Sequence, residues 1–238
     1  MARWCNLQKL KFKQGNYMKL EERIIRDVIQ GSEKWMALRI AKIGGSRVSD
    51  LLTEGRSGGE SLTRRKYKNE LIRENLTQKK LDTWKSPAMI RGIELEPLAR
   101  SWYEVKHNVF VDQVAIVKHP TIENAQCSPD GIVFADKPYL IEIKVPDPQN
   151  HLDNYLTGGK QLEQYYDQCM WQLACMPEME FCDLVSFDPE LTGLEGFVKR
   201  IYRDDEYIKT MEDKVILFLQ EIETTVNNLK EIQNGNNP

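Results

Sequence analysis

Two carboxylates and a lysine in the middle of the chain could together bind a metal ion and cleave a phosphodiester. Asp130 lies within a Ser-Pro-Asp-Gly sequence, and Glu142 and Lys144 follow it, separated from each other by one isoleucine. Carboxylate oxygens suit Mg²⁺ or Mn²⁺, which are hard cations that keep several waters. A lysine beside such an ion can orient the attacking water or stabilise the charge that grows on the phosphate. These residue types therefore predict metal-dependent phosphodiester hydrolysis.

A β-hairpin would bring these three residues together. Residues 141–145 alternate between apolar and polar, which predicts a strand with one buried face. Glu142 and Lys144 then project from the same face, about 6–7 Å apart along the strand. Residues 132–135 predict a second strand, and the Asp-Lys-Pro sequence between the two runs has turn composition. The hairpin would place Asp130 beside Glu142.

The alternative interpretation of this hairpin is an exposed ion pair between Glu142 and Lys144. Short motifs of this kind carry little information when they stand alone. Here, however, the strand is apolar around its charges. Ionised groups inside such a strand need a partner or a metal, so a functional site is favoured over a surface pair.

The hydrophobic patterns along the rest of the chain predict alternating helices and strands. We expect strands at residues 109–117, 181–187 and 196–202. Helices are predicted at residues 46–52, with Ser46 as the cap, and at 62–76, 87–106 and 161–176. From Asp205 the apolar residues recur every three or four positions, which predicts a long amphipathic helix. Such a helix packs on its own core more often than it forms a coiled-coil dimer.

Composition limits the class of protein. The chain has 238 residues, of which 41% are hydrophobic, and this is enough for a proper core. No apolar run approaches the roughly 18–20 residues that span a membrane, and no signal-peptide pattern opens the chain. We therefore expect a soluble, cytoplasmic protein with a single domain over residues 31–233. Residues 1–30 would be an extension of uncertain role, and residues 234–238 a disordered tail.

The net charge of −3 is unusual for a protein that binds nucleic acid, but the charges are unevenly distributed. Residues 64–80 contain seven lysines and arginines against two glutamates, whereas residues 204–231 contain eight acids against three lysines. One end of the protein could thus face phosphates while the other faces solvent or a neighbour. The alternative for the basic segment is an ordinary solvated helix with local ion pairs.

The order of the motifs resembles that of the PD-(D/E)XK nuclease core, and more narrowly that of the phage lambda exonuclease and YqaJ-like viral recombinase nucleases. The Ser-Pro-Asp-Gly and Glu-Ile-Lys sequences match the core itself. Further matches are Trp35 with Leu38-Arg39, then residues 43–46, 92–100, 156–159, 165–168, 187–189 and 203–207. The resemblance covers most of the chain from Trp35 onward. It implies an α/β fold with a central mixed β-sheet flanked by helices, the restriction-endonuclease-like core.

The resemblance implies two bound metal ions, Mg²⁺ or Mn²⁺. Asp130 would bridge the two ions, and Glu142 with the carbonyl of Ile143 would hold the first. Glu96 would hold the second ion. Glu96 directly precedes Pro97, and a proline is unusual inside a helix, so we expect either a kink or a helix start at this point.

The same resemblance gives roles to residues beyond the metal ligands. Lys144 would contact the nucleophilic water or the scissile phosphate, and Gln168 would help to position that water or the lysine. Arg39, Ser46 and Ser128 would form a pocket for a terminal 5′-phosphate. A guanidinium fork, hydroxyl groups and a helix N-terminus all suit phosphate oxygens.

The implied activity is 5′→3′ degradation of one strand of linear double-stranded DNA, which leaves 3′ overhangs. The resemblance also implies phage-type recombination beside a single-strand annealing protein, a homotrimeric ring, and a phage or prophage origin in a bacterial host. One alternative is an endonuclease or DNA-repair nuclease with the same core. Others, of different classes, are a DNA-end-binding protein that does not cut and an unrelated α/β binding protein.

The cysteines raise one further alternative, because some relatives of this nuclease class hold an iron–sulfur cluster with one early cysteine and three late ones. The chain has five cysteines, and four of them copy that count: Cys5, Cys169, Cys175 and Cys182. The late cysteines are not arranged as C-x-x-C, and their spacing puts them on different faces of a helix. Buried, reduced thiols are therefore favoured over a cluster or a disulfide framework.

Overall fold

A four-stranded mixed β-sheet forms the centre of the computed structural model, which describes residues 19–55, 58–81 and 85–235. Its strands are β4 (Gly131–Val133), β5 (Tyr139–Lys144), β6 (Phe181–Phe187) and β7 (Gly196–Tyr202). β5 and β6 are parallel, and the other two pairs are antiparallel. A smaller antiparallel sheet contains β1 (Ile24–Ile25), β2 (Ile116–Lys118) and β3 (Gln126–Cys127). The predicted hairpin and central mixed sheet are both confirmed.

Helices flank the central sheet, as predicted. They are α1 (Leu20–Arg23), α2 (Glu33–Leu38), α3 (Val48–Leu52), α4 (Leu62–Thr77), α5 (Pro87–His107), α6 (Pro148–Thr157), α7 (Tyr166–Cys175) and α8 (Asp205–Gln233). The helix predicted at 161–176 is split, because a 3₁₀ turn at Lys160–Tyr165 precedes α7. No helix in the described part of the chain is long and apolar enough to cross a membrane.

The strand predicted at residues 109–117 is wrong for most of its length. Asp112 makes a single bridge to Ile132 in the central sheet, whereas Ile116–Lys118 pairs with β1 and β3 in the smaller sheet. The segment therefore passes from one sheet to the other and cannot stay in one ladder. Its alternating apolar residues are buried without forming a continuous strand, as Val111 and Val114 show.

The cap predicted at Ser46 is also wrong. Ser46 lies inside a 3₁₀ turn, Gly45–Arg47, which leads directly into α3. The residue at the N-cap of α3 is Arg47, and its side chain makes no capping hydrogen bond. Ser46 is therefore the exposed residue of this turn and does not cap the helix.

Strand β5 is buried on both of its faces. Leu140 on one face packs in the main core with α7 and α8, and Ile141 and Ile143 on the other face pack with the C-terminal half of α5. Side chains alternate along a strand, so Glu142 and Lys144 project toward the α7 side of the sheet. The sheet thus forms the middle layer between α5 and the α7–α8 pair.

Helix α8 packs on the main core, which is the arrangement that the sequence favoured over a coiled-coil dimer. Its apolar stripe is buried within the chain: Ile208, Met211, Val215, Phe218, Ile222 and Val226. Helix α4 lies against it, and the basic and acidic segments pair there. Arg64 Nη2 lies 2.6 Å and Lys68 Nζ lies 3.2 Å from carboxylate oxygens of Glu221. Part of the basic charge is therefore neutralised internally, while Arg65, Lys66 and Arg73 remain exposed.

The cysteine pattern does not form a cluster among the described residues. Cys175 is paired with Cys127, and Cys182 is paired with Cys169, through contacts between their thiols. All four are buried and free, and burial together with the neighbouring thiol raises the pKa of Cys175 and of Cys182. Cys5 lies outside the described residues. The late cysteines are thus packing residues in two separate pairs.

The contact between α5 and β7 gives a first prediction, at Gly196. A Cβ atom at this position would lie 2.2 Å from the ring of Trp102, which packs on the strand. Overpacking of this kind costs roughly 1–3 kcal/mol. We expect Gly196→Ala to lower the free energy of unfolding by that amount in urea titrations.

The matched control is Gly92→Ala on the same helix that carries Trp102. Gly92 is helical, and a Cβ there would meet nothing within 4 Å. Removing a glycine from a helix interior stabilises a protein by about 0.4–1 kcal/mol. Equal effects of the two substitutions would contradict the packing described for Trp102.

Candidate active site

The β4–β5 hairpin brings Asp130, Glu142 and Lys144 together. Asp130 directly precedes β4, and its Oδ2 accepts a 2.6 Å hydrogen bond from the amide of Ile143. Glu142 and Lys144 lie on β5, with Lys144 Nζ 2.7 Å from Glu142 Oε1. The sequence-based expectation for the position of these side chains is therefore met. The backbone bond holds one Asp130 oxygen and leaves the other available.

Helix α7 supplies two glutamines that hold the buried carboxylate of Glu142. Gln168 Nε2 donates to Oε1 at 2.5 Å, and Gln172 Nε2 donates to Oε2 at 2.6 Å. Gln168 also accepts a 3.0 Å hydrogen bond from Lys144 Nζ. Gln172 was missed at the sequence level. It lies four residues after Gln168 and therefore on the same helix face, a spacing that could have identified it.

Glu96 reaches the site from α5, which runs without interruption through Pro97. The alternative of a helix start at this proline is therefore wrong. The Glu96 carboxylate pairs with Arg100, and Arg100 Nε donates to the carbonyl of Asp130 at 3.2 Å. Arg100 is a second residue missed at the sequence level, although it ends the matched 92–100 motif. It links the helix carboxylate to the hairpin.

The three carboxylates repel one another electrostatically. Burial, followed by the charges of Glu142 and Glu96, raises the pKa of Asp130 well above its ordinary value. Burial also raises the pKa of Glu96, an effect that Arg100 offsets only in part. Burial alone would lower the pKa of Lys144, but Glu142 and Asp130 outweigh it and raise that pKa. Burial and mutual repulsion therefore disfavour the ionised forms of Asp130 and Glu96, while the carboxylates keep Lys144 protonated.

The carboxylate oxygens of Asp130, Glu142 and Glu96 are the kind of ligand that a divalent cation prefers, although in this structure they do not point to one common position. Among the described residues, no group of three or more histidine, cysteine or acidic side chains is arranged to hold a metal ion. Glu96 is turned to Arg100, and both oxygens of Glu142 accept side-chain hydrogen bonds. A cation would relieve the repulsion among the carboxylates. Asp130, Glu142 and the Ile143 carbonyl could hold one ion, and Glu96 a second.

A second polar group forms around Arg39 at the end of α2. Arg39 Nη1 lies 3.3 Å and Trp35 Nε1 lies 3.2 Å from the hydroxyl oxygen of Ser128. The guanidinium carbon of Arg39 lies 4.0 Å from the centre of the Trp35 ring. Burial lowers the pKa of Arg39, and no carboxylate within the described residues forms an ion pair with it. Two of the three residues expected to bind a 5′-phosphate are thus in contact.

Ser46, the third expected pocket residue, lies on the turn that connects this group to the carboxylate site. A Cβ at Gly44 would lie 3.2 Å from Arg39 Nη2, and one at Gly45 would lie 3.7 Å from Gln168 Cγ. Within the described residues, Ser46 makes no hydrogen bond to Arg39 or Ser128. The turn therefore borders both groups, with the Ser46 hydroxyl exposed beside them.

Comparison with known structures and families identifies the fold and the family of the chain. The chain is similar to an alkaline exonuclease from Laribacter hongkongensis, with 37% sequence identity and a TM-score of 0.77 over 86% of this chain and 99% of that one. The same enzyme in complex with dAMP gives the same values. A phage-related exonuclease from Haemophilus somnus 129PT shares the fold at 15% identity, with a TM-score of 0.63 over 79% of this chain and 96% of that one.

The fold is accordingly that of the exonucleases in the nuclease superfamily. A sequence model of the YqaJ-like viral recombinase domain matches residues 34–192, which include both polar groups. The chain belongs to the YqaJ-like viral recombinase family. No curated protein matches the sequence.

Proposed function

We propose that the protein is a metal-dependent 5′→3′ exonuclease that degrades one strand of linear double-stranded DNA and leaves 3′ overhangs. The observation that carries this proposal is the meeting of Asp130, Glu142 and Lys144 on one hairpin, with Glu96 approaching from α5. Membership of the YqaJ-like family and the similarity to an alkaline exonuclease support a nuclease that acts on DNA.

The proposed chemistry is an in-line attack of water on the scissile phosphate. Two Mg²⁺ or Mn²⁺ ions would stabilise the attacking and leaving oxygens. Asp130, Glu142 and Glu96 would provide the oxygen ligands for these ions. Lys144 is held as a cation, and its Nζ can donate to the nucleophilic water or to a phosphate oxygen. Gln168 contacts both Lys144 and Glu142, so it fixes the direction of that donor.

The proposed polarity rests on the Arg39 group. Arg39 is a largely buried guanidinium without a carboxylate partner in the described chain, and Ser128 lies within its reach. Ser128 lies two residues before Asp130, so a phosphate bound at Ser128 would be close to the carboxylate site. A terminal 5′-phosphate would supply the missing anion. The exposed hydroxyl of Ser46 would then be a further donor.

The wider biological setting is proposed on the family alone. A nuclease that exposes 3′ single strands would act beside a single-strand annealing protein in phage-type recombination. We propose a homotrimer that surrounds the DNA and a cytoplasmic location in a bacterial host of the phage or prophage. Light scattering of the purified protein would measure the number of subunits.

The first test is digestion of linear 5′-phosphorylated duplex and covalently closed circles with Mg²⁺. We expect loss of the linear DNA alone, because an exonuclease needs an end. Cleavage of the circles would instead identify an endonuclease of the same core. DNA binding without any metal-dependent cleavage would favour an end-binding protein.

Substitution of the site residues gives the second prediction. Asp130→Ala and Lys144→Ala should each abolish cleavage while gel-shift binding of DNA is largely kept. The control is Lys137→Ala, which removes an exposed lysine from the turn of the same hairpin. Mg²⁺-dependent activity retained by both site variants would rule out the assignment.

The third prediction concerns the DNA end. Arg39→Ala should remove the preference for 5′-phosphorylated over 5′-hydroxyl ends, because it removes the guanidinium fork. Its Mg²⁺ requirement should stay close to that of the unmodified protein. Arg65→Ala, which removes an exposed arginine from α4, is the control. Equal digestion of both kinds of end by the unmodified protein would count against the pocket.

A further inference from the structure

Helix α5 carries Glu96 near its middle, and its two halves are packed very differently. The buried residues of α5 all follow Pro97: Ala99, Arg100 and Tyr103. Three large apolar side chains before the proline are about half exposed, at 51%, 45% and 56%: Met89, Ile90 and Ile93. Leu98 and Val105 are also exposed, but the second half has the buried residues as well. The half that carries Glu96 therefore gains little from hydrophobic burial.

Pro97 also weakens the connection between the two halves. A proline has no N–H, so the carbonyl of Ile93, four residues earlier, loses its helical hydrogen bond. The proline ring crowds the same carbonyl, which is why such sites are where helices kink. The second half holds the Glu96 carboxylate through Arg100, whereas the backbone that carries Glu96 also depends on contacts made by the first half.

Arg91 connects this first half to the central sheet. Its Nη1 donates to the carbonyl of Pro146 at 2.6 Å, and its Nη2 lies 3.1 Å from Asp188 Oδ1. In the described chain, these are the side-chain hydrogen bonds that join residues 87–96 to other elements. The Asp188 side chain is only 3% exposed.

The two partners of Arg91 mark the ends of the parallel strands. Pro146 comes two residues after Lys144, and Asp188 directly follows β6. Asp188 belongs to the Phe-Asp-Pro motif that the family resemblance singles out without a role. Arg91 thus holds α5 against the C-terminal ends of β5 and β6, near the site residue Lys144.

We propose that the Arg91–Asp188 pair is a positioning device that sets the Glu96 carboxylate relative to Asp130 and Glu142. Arg91 donates no group to the reaction and acts through the first half of α5. The proposal rests on the nuclease function proposed above. It gives Asp188 of the Phe-Asp-Pro motif a role in positioning the carboxylates of the proposed metal site.

Kinetics of DNA digestion test the role of Arg91. We expect Arg91→Ala to lower kcat and to raise the Mg²⁺ concentration for half-maximal rate, each about 10- to 100-fold, as supporting residues of metal sites do. The KM for linear duplex should stay unchanged. Arg91→Lys should recover only part of the rate, because a single ammonium group does not reproduce the two-pronged contact of the guanidinium. Lys106→Ala, at the exposed end of the same helix, is the control.

The partner residue tests whether Arg91 acts through Asp188. Asp188→Asn keeps the shape of this buried side chain and removes its charge. It should reproduce the direction of the Arg91→Ala effects, and the double variant should be no worse than Arg91→Ala alone. If Asp188→Asn behaves as the unmodified protein while Arg91→Ala weakens metal-free DNA binding, Arg91 contacts DNA and the proposal is overturned.

Amide hydrogen exchange gives a readout that does not depend on activity. Arg91→Ala should speed exchange in residues 87–96 and leave residues 99–107 unchanged. Unchanged exchange in residues 87–96 would overturn the positioning role. If the unmodified protein does not digest DNA, the proposed nuclease function has failed, and hydrogen exchange still decides whether Arg91 anchors this half of the helix.

Discussion

Repulsion among three clustered carboxylates, one buried and two half-buried, is the constraint on which the rest of the site depends. The charges of Glu142 and Glu96 disfavour the ionised form of Asp130, and the charge of Glu142 also disfavours the ionised form of Glu96. Burial makes this costly unless each charge has a donor or a cation nearby. Each carboxylate has one: the Ile143 amide for Asp130, Lys144 with Gln168 and Gln172 for Glu142, and Arg100 for Glu96.

The topology explains why those donors arrive where they do. Parallel strands need a crossover connection, and the chain between β5 and β6 contains α6 and α7. Helix α7 must therefore return across the sheet, where it is buried against β5 and β6. Because α7 packs on the strand face that carries Glu142, Gln168 and Gln172 can reach its carboxylate. The glutamines of the site thus follow from the parallel pairing of the central strands.

The sequence was most informative where the structure is local. Glu142 and Lys144 share a strand face because side chains alternate, and a short turn was enough to place Asp130 beside them. The prediction of a strand at 109–117 was wrong because this segment is divided between two sheets. Such long-range pairing cannot be inferred from the alternation of apolar and polar residues. Ser46 looked like a helix cap, but a 3₁₀ turn moved the start of α3 past it. The Arg91–Asp188 pair joins residues 97 positions apart, so no local pattern announces it.

The most direct test of the account is the free energy of unfolding of the unmodified protein and of Asp130→Asn, measured with EDTA and then with Mg²⁺ or Mn²⁺. Because folding raises the pKa of Asp130, its contribution to stability is fully present below the ordinary pKa of an aspartate and is lost as the pH rises through the folded-state pKa. We expect Asp130→Asn to be more stable than the unmodified protein in EDTA, and the exposed control Asp136→Asn to be unchanged. Metal at 100 times its Kd should stabilise the unmodified protein by about 2.7 kcal/mol and Asp130→Asn by much less. A less stable Asp130→Asn in EDTA, or equal stabilisation of both proteins by metal, would contradict it.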